Sequence, residues 1–226
     1  MAILAAFLLA LLAVVPASAQ IAPTEAELRA YVGLHAAAAR GDVMDIERRV
    51  AAAEDREAID SRHRTPLHVA VYQKKHDAAR ALIRLGADPN RLEIDRYDMI
   101  TIAAVANDVP MLEIALEGGG NPRAVTSRYD GTALIAAAHL GHVEVVRMLI
   151  AARAPLDHVN NLQWTALIES IVLGDGGKNH TETLRALVDA GADVNIPDGR
   201  GSTPLELARS RGYQEMVAIL QKSAAK

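Results

Sequence analysis

Apolar positions are laid out along this chain in two ways. From Ala2 to Val15 they form one unbroken run. From Leu34 onward they come in short patches with helical spacing, separated by polar turns rich in Gly and Pro. One patch shows the pattern: Val145, Val146, Leu149 and Ile150 share a face of a helix that follows Gly141-His142. Just upstream, Ala136-Ala137-Ala138 make a slim first helix, which Gly141 ends by adopting the left-handed terminal conformation. Thr132 stands before that helix, as Thr65, Thr165 and Thr203 stand before similar ones. A Thr there satisfies an otherwise orphaned N–H. Pro66 and Pro204 follow at the first helical position, where a missing N–H costs nothing. The pattern predicts successive pairs of short helices joined by turns.

The pairs repeat. Thr65-Pro66-Leu67-His68-Val69-Ala70 returns as Thr132-Ala133-Leu134-Ile135-Ala136-Ala137, as Thr165-Ala166-Leu167-Ile168 and as Thr203-Pro204-Leu205-Glu206-Leu207-Ala208. Asp98-Met99-Ile100-Thr101-Ile102-Ala103 is a weaker copy. The key aliphatic positions are 67, 100, 134, 167 and 205, with spacings of 33, 34, 33 and 38. A second element keeps phase with the first: Gly86-Ala87-Asp88-Pro89-Asn90, Gly119-Gly120-Asn121-Pro122 and Gly191-Ala192-Asp193-Val194-Asn195. One such unit cannot bury its apolar face alone, whereas a stack of them builds a thin continuous core.

The T-P-L-H-x-A signature at this period resembles the ankyrin repeat family, over about Leu34 to Leu220. The resemblance implies an all-α solenoid of about six helix-turn-helix units with β-turn connections. The approximate units are 24–58, 59–91, 92–125, 126–158, 159–196 and 197–226. The first, carrying Leu34 to Gly41, lacks the opening turn and reads as an amino-terminal cap. Arg209, Arg211, Gln214, Gln221, Lys222 and Lys226 supply the polar outer face of the last. Four departures stand out. Asp98 replaces the capping Thr, Pro110 opens a second helix, and Arg153 takes the place of a closing Gly. The fifth unit also carries five extra residues around Gly174 to His180. They are expected to lengthen the turn between its helices, as a partner-contacting or hinge loop or as a neutral insertion.

The amino-terminal run needs a separate reading. Met1 to Ala19 holds seventeen hydrophobic residues and no charge. The fourteen-residue run Ala2 to Val15 is short of the ~20 that a membrane span requires. Pro16-Ala17-Ser18-Ala19 follows as a small-residue cleavage pattern. Residues 1–19 thus read as a secretory signal peptide and 20–226 as one ankyrin-repeat domain, beginning at Gln20. The expected location is periplasmic or secreted, with no stable membrane span once the signal is cleaved. The segment has no Lys or Arg in its n-region. A buried amino-terminal helix and an uncleaved anchor are the alternatives.

Composition fits a thin stack. Half of the 226 residues are hydrophobic but only 3% are aromatic, so Ala, Leu, Val and Ile supply the core. The chain has no Cys, which excludes disulfides and thiol nucleophiles and suits an oxidising compartment. A net charge of −4 leaves no basic surplus for nucleic acid. Catalytic motifs are missing: Gly199-Arg200-Gly201-Ser202 has the wrong spacing for a nucleophile elbow, and no G-K-[ST] follows Gly174 to Gly177. His139 and His142 with Glu144, or Asp175, Asn179 and His180, resemble metal ligand sets, but His142 stands in the family's G-H-x-E element and the loop trio is a plain turn. His35 and His68 fall at the motif's histidine position and are expected to stabilise turns. Asp95 and Asp98 lie on a turn. No metal, cofactor or catalytic site is expected.

In ankyrin repeats, recognition uses positions one, three and four before the capping Thr and seven and eight after it. In that register Tyr97 and Trp164 fall one before, Tyr129 three before and Tyr72 seven after. Arg62, Arg64, Arg128, Arg200 and His139 occupy further variable positions. Tyr, Trp and Arg are enriched in interface hot spots. The candidate partner-binding residues are therefore Arg64, Tyr72, Tyr97, Tyr129, His139 and Trp164, unless these side chains merely seal neighbouring turns. The resemblance implies a monomeric, non-catalytic protein–protein interaction module of the bacterial envelope, binding its partner through the concave face. A secreted effector that binds a host protein and an enzyme with an unrecognised site are the alternatives.

Overall fold

Residues 20–224 are described by the computed structural model; the signal sequence read over Met1–Ala19, and Lys226, lie outside the described residues. The described chain forms thirteen helices and no strand. A short α1 (Glu25–Ala30) precedes six helix pairs. The pairs are α2 (Gly33–Arg40) with α3 (Val43–Ala51), α4 (Pro66–Tyr72) with α5 (His76–Arg84), and α6 (Met99–Val105) with α7 (Val109–Glu117). They continue as α8 (Ala133–His139) with α9 (Val143–Ala151), α10 (Ala166–Val172) with α11 (Lys178–Asp189), and α12 (Pro204–Ser210) with α13 (Gln214–Ala224). First helices pack on first helices and second on second, giving two parallel rows. The pairs are numbered units 1 to 6 below.

Local chemistry starts each first helix. The side chains of Thr65, Asp98, Thr132, Thr165 and Thr203 each accept the N–H three residues on. Unit 1 has Val32 at this place, with no side-chain cap. There the Glu54 carboxylate, held by Arg49 at 2.8 Å, accepts the Leu34 N–H instead. Leu67, Ile100, Leu134 and Leu167 occupy equivalent places and are 3% exposed or less. Ala70, Ala103 and Ala137 beside them are fully buried and let the rows approach closely. Truncating one of these Leu residues to Ala would cost about 2–5 kcal/mol. The ends of the stack differ from its middle: α12 buries only Pro204 and Ala208, and Arg209, Arg211, Gln214, Gln221 and Lys222 face water.

The departures have structural counterparts. Pro110 lies in the first turn of α7. Arg153 adopts φ +64°, the left-handed conformation that a closing Gly would take without strain. The five extra residues of unit 5 do not simply lengthen a loop. The α10–α11 connection spans Leu173–Gly177 against three residues in units 2 to 4, and α11 starts earlier and runs twelve residues against nine. The connection is also tied down. The Tyr213 hydroxyl donates to Gly174 O at 2.9 Å, and a Cβ on Gly176, at φ +70°, would fall 2.4 Å from the Tyr213 ring.

Candidate protein-interaction face

Each turn between units folds around one acceptor side chain. Asp60 Oδ1 accepts the N–H groups of Arg62 and Arg64 at 2.8 and 2.9 Å. Glu93 Oε1 does the same for Asp95 and Tyr97, Asn160 Oδ1 for Leu162 and Trp164, and Asp198 Oδ1 for Arg200 and Ser202. In unit 4 Thr126 stands at this position, and its backbone pairs with Gly131 instead. Backbone bonds knit successive turns together, from Ile94 N–H to Arg62 O, Ser127 N–H to Arg96 O and Asn161 N–H to Tyr129 O, at 2.9–3.0 Å. Asp95 adds a charge bridge, accepting from Arg62 at 3.0 Å and Arg128 at 2.6 Å. This acceptor row was missed by the sequence reading, although its spacing follows the repeat.

The six candidate residues divide by position along the stack. Arg64 is fully buried and its guanidinium is held by Asp60 and Glu27, so it is not a free recognition residue. It is covered by residues 20–30, a segment that precedes the six helix pairs. Tyr97 is 8% exposed and belongs to the hydrophobic core, so it seals the stack rather than facing a partner. Tyr72 packs against that core, and its hydroxyl is buried without a hydrogen-bond partner. Burial raises the ionisation of both tyrosines above the ordinary phenol value. Tyr129, His139 and Trp164, all in units 4 and 5, remain partly exposed.

Aliphatic side chains define the rest of the face, and the sequence reading, which followed aromatics and charges, passed over them. Ile59, Leu92 and Val159 each immediately precede an acceptor of the turn row, Val125 precedes Thr126 at the same place, and all four are 39–49% exposed. Ile94 and Leu162 are exposed on the same turns, and Leu140 is exposed at the far end of α8. Six of these apolar side chains thus lie on the turns, where water penalises them.

Unit 5 also carries a polar centre. Glu169, in α10, is 4% exposed where other units carry Val69, Ile102, Ala136 and Leu207. Its Oε1 accepts from Asn160 Nδ2 at 3.0 Å. Its Oε2 lies 3.4 Å from His139 Nδ1 without a well-formed hydrogen bond. Burial pushes the Glu169 carboxyl up to about 7, with the Asn160 bond working against the rise. Burial, and then the nearby His180, lower His139 below the ordinary imidazole value.

The other histidines hold the stack together. His68 Nδ1 accepts the Thr65 N–H at 3.1 Å and its Nε2 donates to Arg91 O at 3.0 Å; burial drives this imidazole down to about 4. His35 contacts Arg64 O, His142 contacts Ala104 O, and His180 bridges Asp175 and His139 O. His139 and His142 therefore point to different partners. Among the described residues no group of three His, Asp or Glu is arranged to hold a metal ion, and no helix is long and apolar enough to cross a membrane. Grooves of about 310 and 510 Å³ lie between second helices of units 4 to 6, lined by residues such as Glu182, Arg185 and Asp189. Neither groove reaches Glu169, His139 or Trp164.

A two-row stack of capped helix pairs, bonded turn to turn, defines a helical repeat protein. The family model described as ankyrin repeats (3 copies) matches residues 100–198, and that described as ankyrin repeat matches residues 62–93. The chain is 32% identical over 190 residues to the ankyrin repeat protein YahD of Escherichia coli (strain K12), covering 84% of this chain and 94% of that one. An ankyrin repeat domain from Acinetobacter baumannii AYE superposes with a TM-score of 0.81 at 40% identity, over 84% of this chain and 97% of the other. The ankyrin repeat protein EF0377 gives 0.79 at 30% identity, over 84% and 96%. The chain belongs to the ankyrin repeat family. The fold is in general a non-catalytic scaffold for protein interaction.

Proposed function

We propose that the chain binds a partner protein through the turn side of units 4 and 5, around Tyr129, His139 and Trp164 with Leu140, Val159 and Leu162. One observation carries this reading. Aliphatic side chains recur, exposed, at the same place in four successive turns. A fold does not need this row for its own core, and an apolar row rimmed by Arg128, Asp130 and Asn161 has the make-up of an interface. The acting compartment in this reading is the periplasm or the exterior. The apolar run and cleavage pattern of Met1–Ala19, and the absence of Cys, support it.

Affinity capture from an envelope extract tests the interaction, with the Trp164→Ala/Leu162→Ser double variant beside the unaltered chain. A protein retained by the unaltered chain and lost by the variant, at an unchanged melting temperature, is the expected result. Equal retention by both chains overturns the face. Cell fractionation tests the compartment: recovery of the full-length chain in the cytoplasm alone counts against export.

A further inference from the structure

Residues 20–31 precede the six helix pairs, yet they reach across three units. Tyr31 donates to Asp60 Oδ2 at 2.6 Å. Glu27 divides its carboxylate: Oε2 caps α1 through the Thr24 N–H at 2.7 Å, and Oε1 takes the Arg64 guanidinium. Ile21 O accepts from Arg64 Nη1 at 3.4 Å, and Gln20 Nε2 donates to Thr101 O in α6 at 3.0 Å. Pro23 is buried. Arg64 thus makes three contacts, of which only the Nε bond to Asp60, at 2.7 Å, comes from its own turn.

What holds this strap differs in kind from what holds the units. No residue of α1 is buried, and the strap is fastened by a carboxylate, a phenol, a carbonyl and an amide. An element with so little buried apolar surface opens at low cost relative to the stack beneath it. Lifting it frees two donors of an arginine at the position one before the cap. The strap itself therefore reports what this surface accepts: a carboxylate for Arg64 in the first turn of a short helix, a main-chain carbonyl about six residues earlier in the non-helical lead-in, and a proline between them.

We propose that Gln20–Ala30 is a displaceable intramolecular ligand, and that the face it covers over units 2 and 3 docks an acidic segment of a partner protein that enters a helical turn as the strap does. The partner's carboxylate takes the place of Glu27 on Arg64. The proposal rests on the reading of the turn side as the binding side, and it adds a second, gated half to that side. Gating follows from local concentration: a tethered segment competes as if present at about millimolar level.

The test uses the full chain and a fluorescent synthetic peptide of residues 20–31. In the Glu27→Lys variant a cation faces Arg64, so the strap leaves and the peptide binds. The unaltered chain binds the same peptide at least tenfold more weakly. A peptide carrying the Glu27→Gln change loses at least tenfold on the variant chain. Hydrogen exchange on the unaltered chain gives a second measurement: amides of Glu25–Tyr31 should exchange at least a hundredfold faster than those of α4 and α6. No peptide binding by the Glu27→Lys chain overturns the proposal, and so does strap exchange as slow as that of α4. Because the probe is a piece of this chain, either result is independent of whether Trp164 captures a partner.

Discussion

Over units 2 and 3 the protein's own amino-terminal segment covers Arg64 and reaches α6, whereas over units 4 and 5 it makes no such contact. The two halves share the same turns, the same caps and the same bonds between turns. They differ at the residue just before each cap: Arg64 and Tyr97 in the first half, Gly131 and Trp164 in the second. Arg64 is buried with its charge matched, and Tyr97 is packed into the core. In the open half Trp164 stays partly exposed, whereas buried polar atoms without a partner occur in both halves, at Tyr72 and Glu93 as at Glu169. The difference teaches that a position in the repeat sets the direction of a side chain, while its availability depends on what else crosses that place.

The largest test of this contrast compares two arginines on the turn side. Arg64→Ala leaves the Asp60 and Glu27 carboxylates facing an empty site, with Asp60 nearly buried. Burial works to raise the Asp60 carboxyl, but hydrogen bonds from Tyr31 and Arg64 outweigh it and hold it below its ordinary value. Removing one partner of such a pair costs about 3–5 kcal/mol. Arg128→Ala removes an exposed, water-screened cation from Asp95 and should cost far less than the loss of Arg64. Urea unfolding of the two variants measures the difference. Similar losses would mean that the strap adds nothing to the closed half.

A second test works through pH in the open half. Glu169 ionises near 7 in the folded chain, against 4.5 for an ordinary glutamate. The folded state therefore holds a proton that the unfolded state releases. This contribution to stability is whole below about pH 4.5 and is lost as pH rises through 7. Its size is at most about 3 kcal/mol. Glu169→Gln, which copies the protonated form, should match the unaltered chain below about pH 4 and be more stable at pH 8. His68 runs the other way. Its imidazole is held neutral down to about 4, so its contribution is lost as pH falls from 6.5 toward 4. Melting curves of the Glu169→Gln and unaltered chains, taken as differences at each pH, isolate the glutamate. A pH-independent difference would show that the carboxylate is solvated.

Much of this was legible before the structure, for local reasons. Capping threonines, Asp98 and the histidine at His68 act within a few residues of themselves, so spacing alone exposes them. The open or closed state of the face was not legible. Arg64 is covered by Glu27 and Ile21, some forty residues upstream and ahead of the six helix pairs, and no register within the units contains that information. The fate of the five extra residues depended on whether Lys178-Asn179-His180 joined the helix, which His180 favours by anchoring on His139 O in the preceding unit. The acceptor row at Asp60, Glu93, Asn160 and Asp198 was present in the spacing. It escaped notice because Asp, Glu and Asn do the same work there, and a search for one residue type does not find it.

The smallest expected effect on stability is the most direct test of function. Val159 and Leu162 lie in the open half, Ile59 and Leu92 in the closed half, and all four are 39–49% exposed. Each already meets water, so changing either pair to serine should move stability by no more than about 0.5 kcal/mol. Their consequences for binding should not be equal. Val159→Ser with Leu162→Ser removes apolar area beside Trp164 and should weaken retention of a partner at least tenfold. Ile59→Ser with Leu92→Ser alters the half that the strap governs, and retention by the unaltered strap conformation should stay within twofold. Melting curves verify that both variants are intact, and quantitative capture measures the rest. Equal weakening by the two pairs would mean that the whole row of turns acts as one surface, and that the strap does not divide it.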